Sequence, residues 1–240
     1  MTPHPSLPCR PQGTVYGTLL NFQREAALWA TRMTEPPYQG APQAPVLYIK
    51  TANTFSPHGA AIALPTPVDE VDVGASIGLV IGFYKENKPL APVERAQAAI
   101  NSVAVGVVGC VLMNDLSIPH ASYYRPPVKY KNLDGFLGVG PRCVPLAELG
   151  GLAGVGALQL QVHINGELRQ TIDLRTLVRD AATLLADVND FMTLQPGDVL
   201  MLGTDCLDGG TRPRARAGDR IDISAPGFET LVNTLVKETA

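Results

Sequence analysis

The sequence predicts an α+β fold that is mostly β, a mixed sheet with a few helices. Three observations predict it. Short apolar, β-branched runs recur along the chain and outnumber the stretches with helical spacing. Hairpin and turn signals are prominent, with 23 Gly and 21 Pro spread over 240 residues. No steady alternation of strand and helix appears, which argues against a regular βαβ layering.

In chain order, residues 1–12 carry four Pro and no periodicity and are expected to be a disordered arm, followed by one domain over 13–240. "GTVYGTLLNF" alternates as a strand does. "QREAALWATRM" places Ala26, Trp29, Ala30 and Met33 at helical spacing. "VLYIK" and "GAAIALP" are candidate strands, and "DVGASIGLVIGFY" passes from alternation into a continuous apolar run, as in a strand buried on both faces. "PVERAQAAINSV" predicts a helix running into the buried strand "GCVLMND". "ALQLQVHINGELRQTIDL" alternates around Asn165-Gly166, which predicts a type I′ hairpin with His163 on its solvated face. "TLVRDAATLLADVNDFMTL" carries an apolar helical face from Leu177 to Met192. "VLMLGT" is a buried strand, "DCLDGGTRPRARAGD" a loop, and "RIDISAPGFETLVNTLVKE" a closing pair of strands.

Composition excludes several classes. A net charge of −3 argues against a nucleic-acid partner. No uninterrupted apolar run reaches about 18 residues, so no membrane span is expected. The first residues have no apolar core of a signal peptide. The four Cys form no CxxC pair, and Cys110 and Cys143 read as reduced, buried thiols of a cytoplasmic protein. There is no GxSxG, Walker loop, HExxH or GxGxxG, and the four His lack ligand spacing.

What remains is polar chemistry at the ends of apolar strands: Lys50, Asn114, Asp115 and Thr204. Strands often end in polar residues, but such positions also give rigid support next to loops. The run "NDLSIPHASYYRPPVKYKNLDGF" adds Tyr123, Tyr124, Arg125, Lys129, Lys131 and Asp134 in a chain that is only 17% charged. Lys50, Arg125, Lys129 and Lys131 together would form a sink for carboxylates, Arg125 bidentately. An ordinary solvated loop is the alternative. His120 reads as a loop histidine, with proton transfer as its other possible role.

These residues also carry a family resemblance. "NDLSIPHASYYRPPVKYKNLDGFLGVGP", with "GTLLNF", "VLYIKTANT", "GASIGLVIG", "INGELRQT", "DFMTLQPGDVLMLGT" and "AGDRIDI", resembles the fumarylacetoacetate hydrolase superfamily, in family order over residues 13–238. The resemblance is strongest to the branch that decarboxylates and isomerises 2-oxo acids in homoprotocatechuate (4-hydroxyphenylacetate) breakdown, and within it to the N-terminal half or first subunit. It implies a mixed sheet rolled into a barrel-like sandwich. It implies a small polycarboxylate substrate, and a homodimer or a heteromer with a homologous second subunit. It also implies a divalent metal, such as Mg2+, that chelates the 2-oxo acid and stabilises an enolate.

On this resemblance Lys131, Asp134 and Glu25 are the catalytic candidates, and Lys50, Tyr124, Arg125 and Thr204 the substrate-binding ones. Glu25 stands where the family has a lid histidine, and Leu28 where an acid follows it. Gly74 and Ser76 occupy the positions of two metal-binding Glu, leaving Asp115 as a lone, weak ligand with Asp72 a poor replacement. No tightly bound metal is therefore expected.

Overall fold

A computed structural model describes residues 10–85, 88–89, 104–120 and 127–238. The helix expected over 92–103, the residues Tyr123, Tyr124 and Arg125, and residues 1–9 of the expected arm lie outside these. At the start of the described chain, Gln12 and Gly13 donate backbone hydrogen bonds to Gly197 O.

The first half contains β1 (Val15–Leu19), α1 (Gln23–Met33), β2 (Val46–Lys50), β3 (Phe55–Pro57), β4 (Ala61–Leu64) and β5 (Glu70–Asp72). It continues with β6 (Ala75–Lys85), β7 (Lys88–Pro89) and β8 (Ala104–Asp115). Then come α2 (Pro127–Lys131), β9 (Leu137–Val139), β10 (Val144–Pro145), α3 (Gly151–Gly156), β11 (Gln159–Ile164), β12 (Glu167–Asp173) and α4 (Ala181–Asn189). The chain closes with β13 (Val199–Met201), β14 (Arg214–Arg216), β15 (Arg220–Ser224) and β16 (Leu231–Lys237).

A nine-stranded mixed sheet runs in the order β2-β1-β13-β6-β8-β9-β3, with β7 and β10 attached to β6 and β8. Strands β1/β13 and β3/β9 pair in parallel and the others antiparallel. A second sheet, β12-β11-β15-β16-β4, packs against it. Between them lies a core in which Ile77, Leu79 and Leu112 of the first sheet meet Leu160, Val162, Ile223 and Leu235 of the second. Truncating a fully buried member such as Leu112 to Ala would cost about 2–5 kcal/mol. The apolar end of β8 is buried on both faces, as its unbroken hydrophobic run requires.

Asn165 and Gly166 adopt φ of 54° and 81°, so both hairpin residues occupy the left-handed region that a type I′ turn demands. Two expectations need correction. The helical face read from Leu177 begins only at Ala181, because Asp180 caps the helix by accepting from Thr183 N at 2.8 Å. The preceding residues are instead tied to the chain before α1, with Val178 N donating to Asn21 O at 2.8 Å. The expected loop after Thr204 contains β14, which pairs with β5 in the register Arg214↔Asp72.

Candidate active site

The ends of β2 and β8 and the short helix α2 meet around Asp115. Its carboxylate is buried, yet it faces two ammonium groups: Lys50 Nζ lies 3.0 Å from Oδ1 and Lys131 Nζ 2.8 Å from Oδ2. Tyr48 O–H donates to Oδ2 as well. Tyr48 stands directly across from Gly17 in the β1–β2 register, and its ring covers the space a Cβ would need there. Burial alone would raise the Asp115 carboxyl, but Lys131 and Lys50 outweigh it and hold the group well below the usual carboxylate range. Burial, opposed by Asp115, lowers the Lys50 ammonium to about 8.

A second cluster joins α1 to the segment between β13 and β14. Arg212 Nη2 lies 2.6 Å from Glu25 Oε1, and Arg212 Nε donates to Thr204 Oγ1 at 2.9 Å. The buried face of α1 carries Glu25 and Met33, whereas Ala30, expected on the apolar face, is exposed. The two clusters are adjacent, since Gly74 separates Thr204 from the backbone of Asp115.

Both clusters support a cavity of about 530 Å3 whose wall includes Trp29, Asp72, His120, Lys131, Arg212 and Arg214. Arg32 is also on this wall and stacks over Trp29, 5.3 Å from the ring centroid. Four cations therefore face one carboxylate, Asp72, whose carboxyl is raised by burial even beside Arg212 and Arg214. Three of these cations are paired with acids: Lys131 with Asp115, Arg212 with Glu25, and Arg214 with Glu70 and Asp72.

Of the residues singled out in the sequence, Lys131 lines this cavity. Asp115, Thr204 and Glu25 stand behind the wall and hold Lys131 and Arg212 in place. Lys50, expected to bind substrate, is a buried support: its ammonium also donates to Lys131 O, to Phe136 O at 2.9 Å and toward Leu116 O at 3.4 Å, and it does not line the cavity. Asp134, expected to be catalytic, is exposed and accepts from Asn53 Nδ2 at 2.6 Å, away from the cavity wall. Tyr124 and Arg125 lie outside the described residues. Sequence reasoning missed Arg212 and Arg214. Their signal was the period-two spacing of Arg in "TRPRAR", a strand pattern inside an expected loop.

Comparison with known proteins supplies the family. The family model described as fumarylacetoacetate (FAA) hydrolase C-terminal matches residues 14–236. The chain belongs to the fumarylacetoacetate hydrolase family. It is 35% identical over 227 residues to the 4-hydroxyphenylacetate degradation bifunctional isomerase/decarboxylase of Salmonella dublin, covering 95% of this chain and 48% of that protein. It is 32% identical over 227 residues to the homoprotocatechuate catabolism bifunctional isomerase/decarboxylase of Escherichia coli, with the same coverage. The chain thus spans about half the length of these relatives. Among solved structures it resembles fumarylpyruvate hydrolase from Pseudomonas aeruginosa in complex with Mn2+ and pyruvate, with a TM-score of 0.68 at 20% identity and coverage of 94% and 90%. It also resembles 2-hydroxyhepta-2,4-diene-1,7-dioate isomerase from Mycobacterium marinum, with a TM-score of 0.64 at 20% identity and coverage of 95% and 75%. These neighbours share the fold. The activities named for these relatives and neighbours are isomerisation, decarboxylation and hydrolysis.

The residues present do not fit the divalent metal that the family uses. Both oxygens of Asp115 already face ammonium groups. A Cβ on Gly74 would sit 2.7 Å from Thr204 Cγ2 and 2.8 Å from Asp115 O, so a longer side chain has no room at that position. Ser76 offers a single neutral hydroxyl, and a hard dication favours several anionic oxygens. Among the described residues, no group of three or more His, Cys, Asp or Glu could hold a metal ion. Nor is any described helix long and apolar enough to cross a membrane.

Proposed function

We propose that the chain acts on 2-oxo polycarboxylates of 4-hydroxyphenylacetate degradation. The reactions are decarboxylation of 5-oxopent-3-ene-1,2,5-tricarboxylate and isomerisation of 2-hydroxyhepta-2,4-diene-1,7-dioate. The observation that carries this reading is the Lys131 ammonium on the cavity wall, locked 2.8 Å from Asp115, with Arg212 and Arg214 on the same wall. Both substrates are polyanions, and both reactions pass through an enolate. When CO2 leaves, the electron pair of the broken C–C bond flows toward the 2-oxo group. When the dienol is converted to the enone, the same oxygen carries the negative charge. A fixed ammonium and guanidinium stabilise that charge as it develops, without reorganising. Asp115 holds Lys131 in position, and Thr204 with Glu25 does the same for Arg212.

The test is turnover of the purified chain on the tricarboxylate, followed by CO2 release with and without a chelator. Turnover that survives the chelator is expected. Absence of turnover under both conditions would overturn the reading.

A second reading rests on the crowded position of Gly74 and on the half-length match to the relatives. In it the chain is a weakly active subunit that pairs with a metal-bearing homologous subunit. Turnover that appears only on mixing with that second subunit would favour this alternative.

A further inference from the structure

We infer that His120 is the proton carrier of this cavity, moving a proton between the oxygen and carbon ends of an enolised 2-oxo acid. The inference rests on the 2-oxo acid chemistry proposed above. His120 Nδ1 lies 2.8 Å from Ile118 O. A carbonyl can only accept, so Nδ1 carries the hydrogen, and the neutral ring keeps Nε2 as a bare lone pair. The imidazole stacks on Tyr130, with ring centroids 5.0 Å apart and planes 11° apart. Tyr130 immediately precedes Lys131 on α2, so one short helix sets both the plane of the base and the position of the ammonium. His120 and Lys131 line the same cavity.

The acids nearby are worse placed for this task. Glu25 is held 2.6 Å from a guanidinium that does not give up its proton, and it stands behind the wall. Asp115 is enclosed by Lys50, Lys131 and Tyr48. Asp72 is on the wall, 3.3 Å from Arg214 Nε, and is the one rival among the described residues. Asp72 and His120 share the cavity wall.

The step balances without any further reactant. Nε2 takes the hydroxyl proton of a 2-hydroxy-2,4-dienedioate, and the O–H electron pair becomes the carbonyl π bond. The adjacent C=C pair moves one bond along the chain. The pair of the second C=C forms a new C–H bond with the proton returned by the imidazolium. The ring ends in its starting tautomer, and Lys131 meets the oxyanion in between.

Four chains test this: wild type, His120→Asn, His120→Ala and Asp72→Asn, each followed by loss of dienol absorbance from 2-hydroxyhepta-2,4-diene-1,7-dioate. Asn retains an N–H for Ile118 O but has no basic nitrogen. We expect kcat to fall about a hundredfold or more in both His120 variants, with KM and thermal midpoint little changed. Added imidazole should restore part of the His120→Ala rate, which a merely structural role would not allow. Asp72→Asn should lower kcat less. Wild-type kcat in His120→Asn would overturn the inference while leaving the proposed function intact. Loss of turnover in Asp72→Asn alone would assign the base to Asp72 and overturn it too. A wild-type chain that leaves the dienol unchanged would overturn both readings.

Discussion

Glu25 and Arg212 are 187 positions apart in sequence, and their carboxylate and guanidinium meet at 2.6 Å. The contact ties α1 to the segment between β13 and β14 and is withdrawn from water, with side-chain exposures of 3% and 13%.

Removing one partner of such a pair leaves the other charge buried and uncompensated. Arg212→Met should therefore destabilise the fold by about 3–5 kcal/mol, read from urea denaturation. Glu25→Gln keeps a hydrogen-bonding oxygen and should cost less. Equal stability of Arg212→Met and wild type would show that the pair is solvated.

Stability should respond to pH through Lys50. Its ammonium is lowered from 10.5 to about 8, so between those values the folded chain has released a proton that the unfolded chain retains. Stability then rises with pH across that window, by up to roughly 1.4 kcal/mol per unit, and the burial penalty is fully present below it. Denaturation midpoints from pH 7.5 to 9.5 should climb in wild type and run flat in Lys50→Met. Parallel profiles for the two proteins would refute the assignment.

Gly74 is fixed by crowding. Gly74→Ala should cost about 1–3 kcal/mol through overpacking, since its Cβ would meet Thr204 Cγ2 at 2.7 Å and Asp115 O at 2.8 Å. Gly74→Glu with Ser76→Glu should unfold or misfold before it binds Mg2+, as seen by circular dichroism and metal analysis. A folded double variant holding one equivalent of Mg2+ would contradict this.

Lys131→Met removes the charge on the cavity wall while keeping the length of the side chain. Affinity for 2-oxoadipate, measured by calorimetry, should fall about ten- to a hundredfold, matching the loss of a charge-assisted bond of roughly 1.5–3 kcal/mol. Unchanged affinity would place the anion elsewhere.

Much of the fold was legible because its signals are local. Alternation around Asn165-Gly166 sets a hairpin that needs no distant partner, and the apolar run ending at Asp115 reports a strand buried on both faces. The start of α4 was legible in principle through Asp180 but was obscured by Leu177 and Val178, whose spacing fits a helix although their backbone bonds go to the chain around Asn21. The site was only half legible. Lys131 and Asp115 stand out as charges in an apolar chain, but nothing local says that Lys50 points away from the cavity, because three of its four acceptors are main-chain carbonyls. Arg212 was hidden for the opposite reason: its partner lies at the other end of the sequence.

The Lys50–Asp115–Lys131 cluster places positive charge on covalent tethers. Such charge cannot be withdrawn by a chelator or exchanged for a competing ion, and it needs no delivery step after synthesis. The positive charge of this cluster is in place as soon as β2, β8 and α2 have docked, and below the window that opens near pH 8 it persists for as long as they stay together.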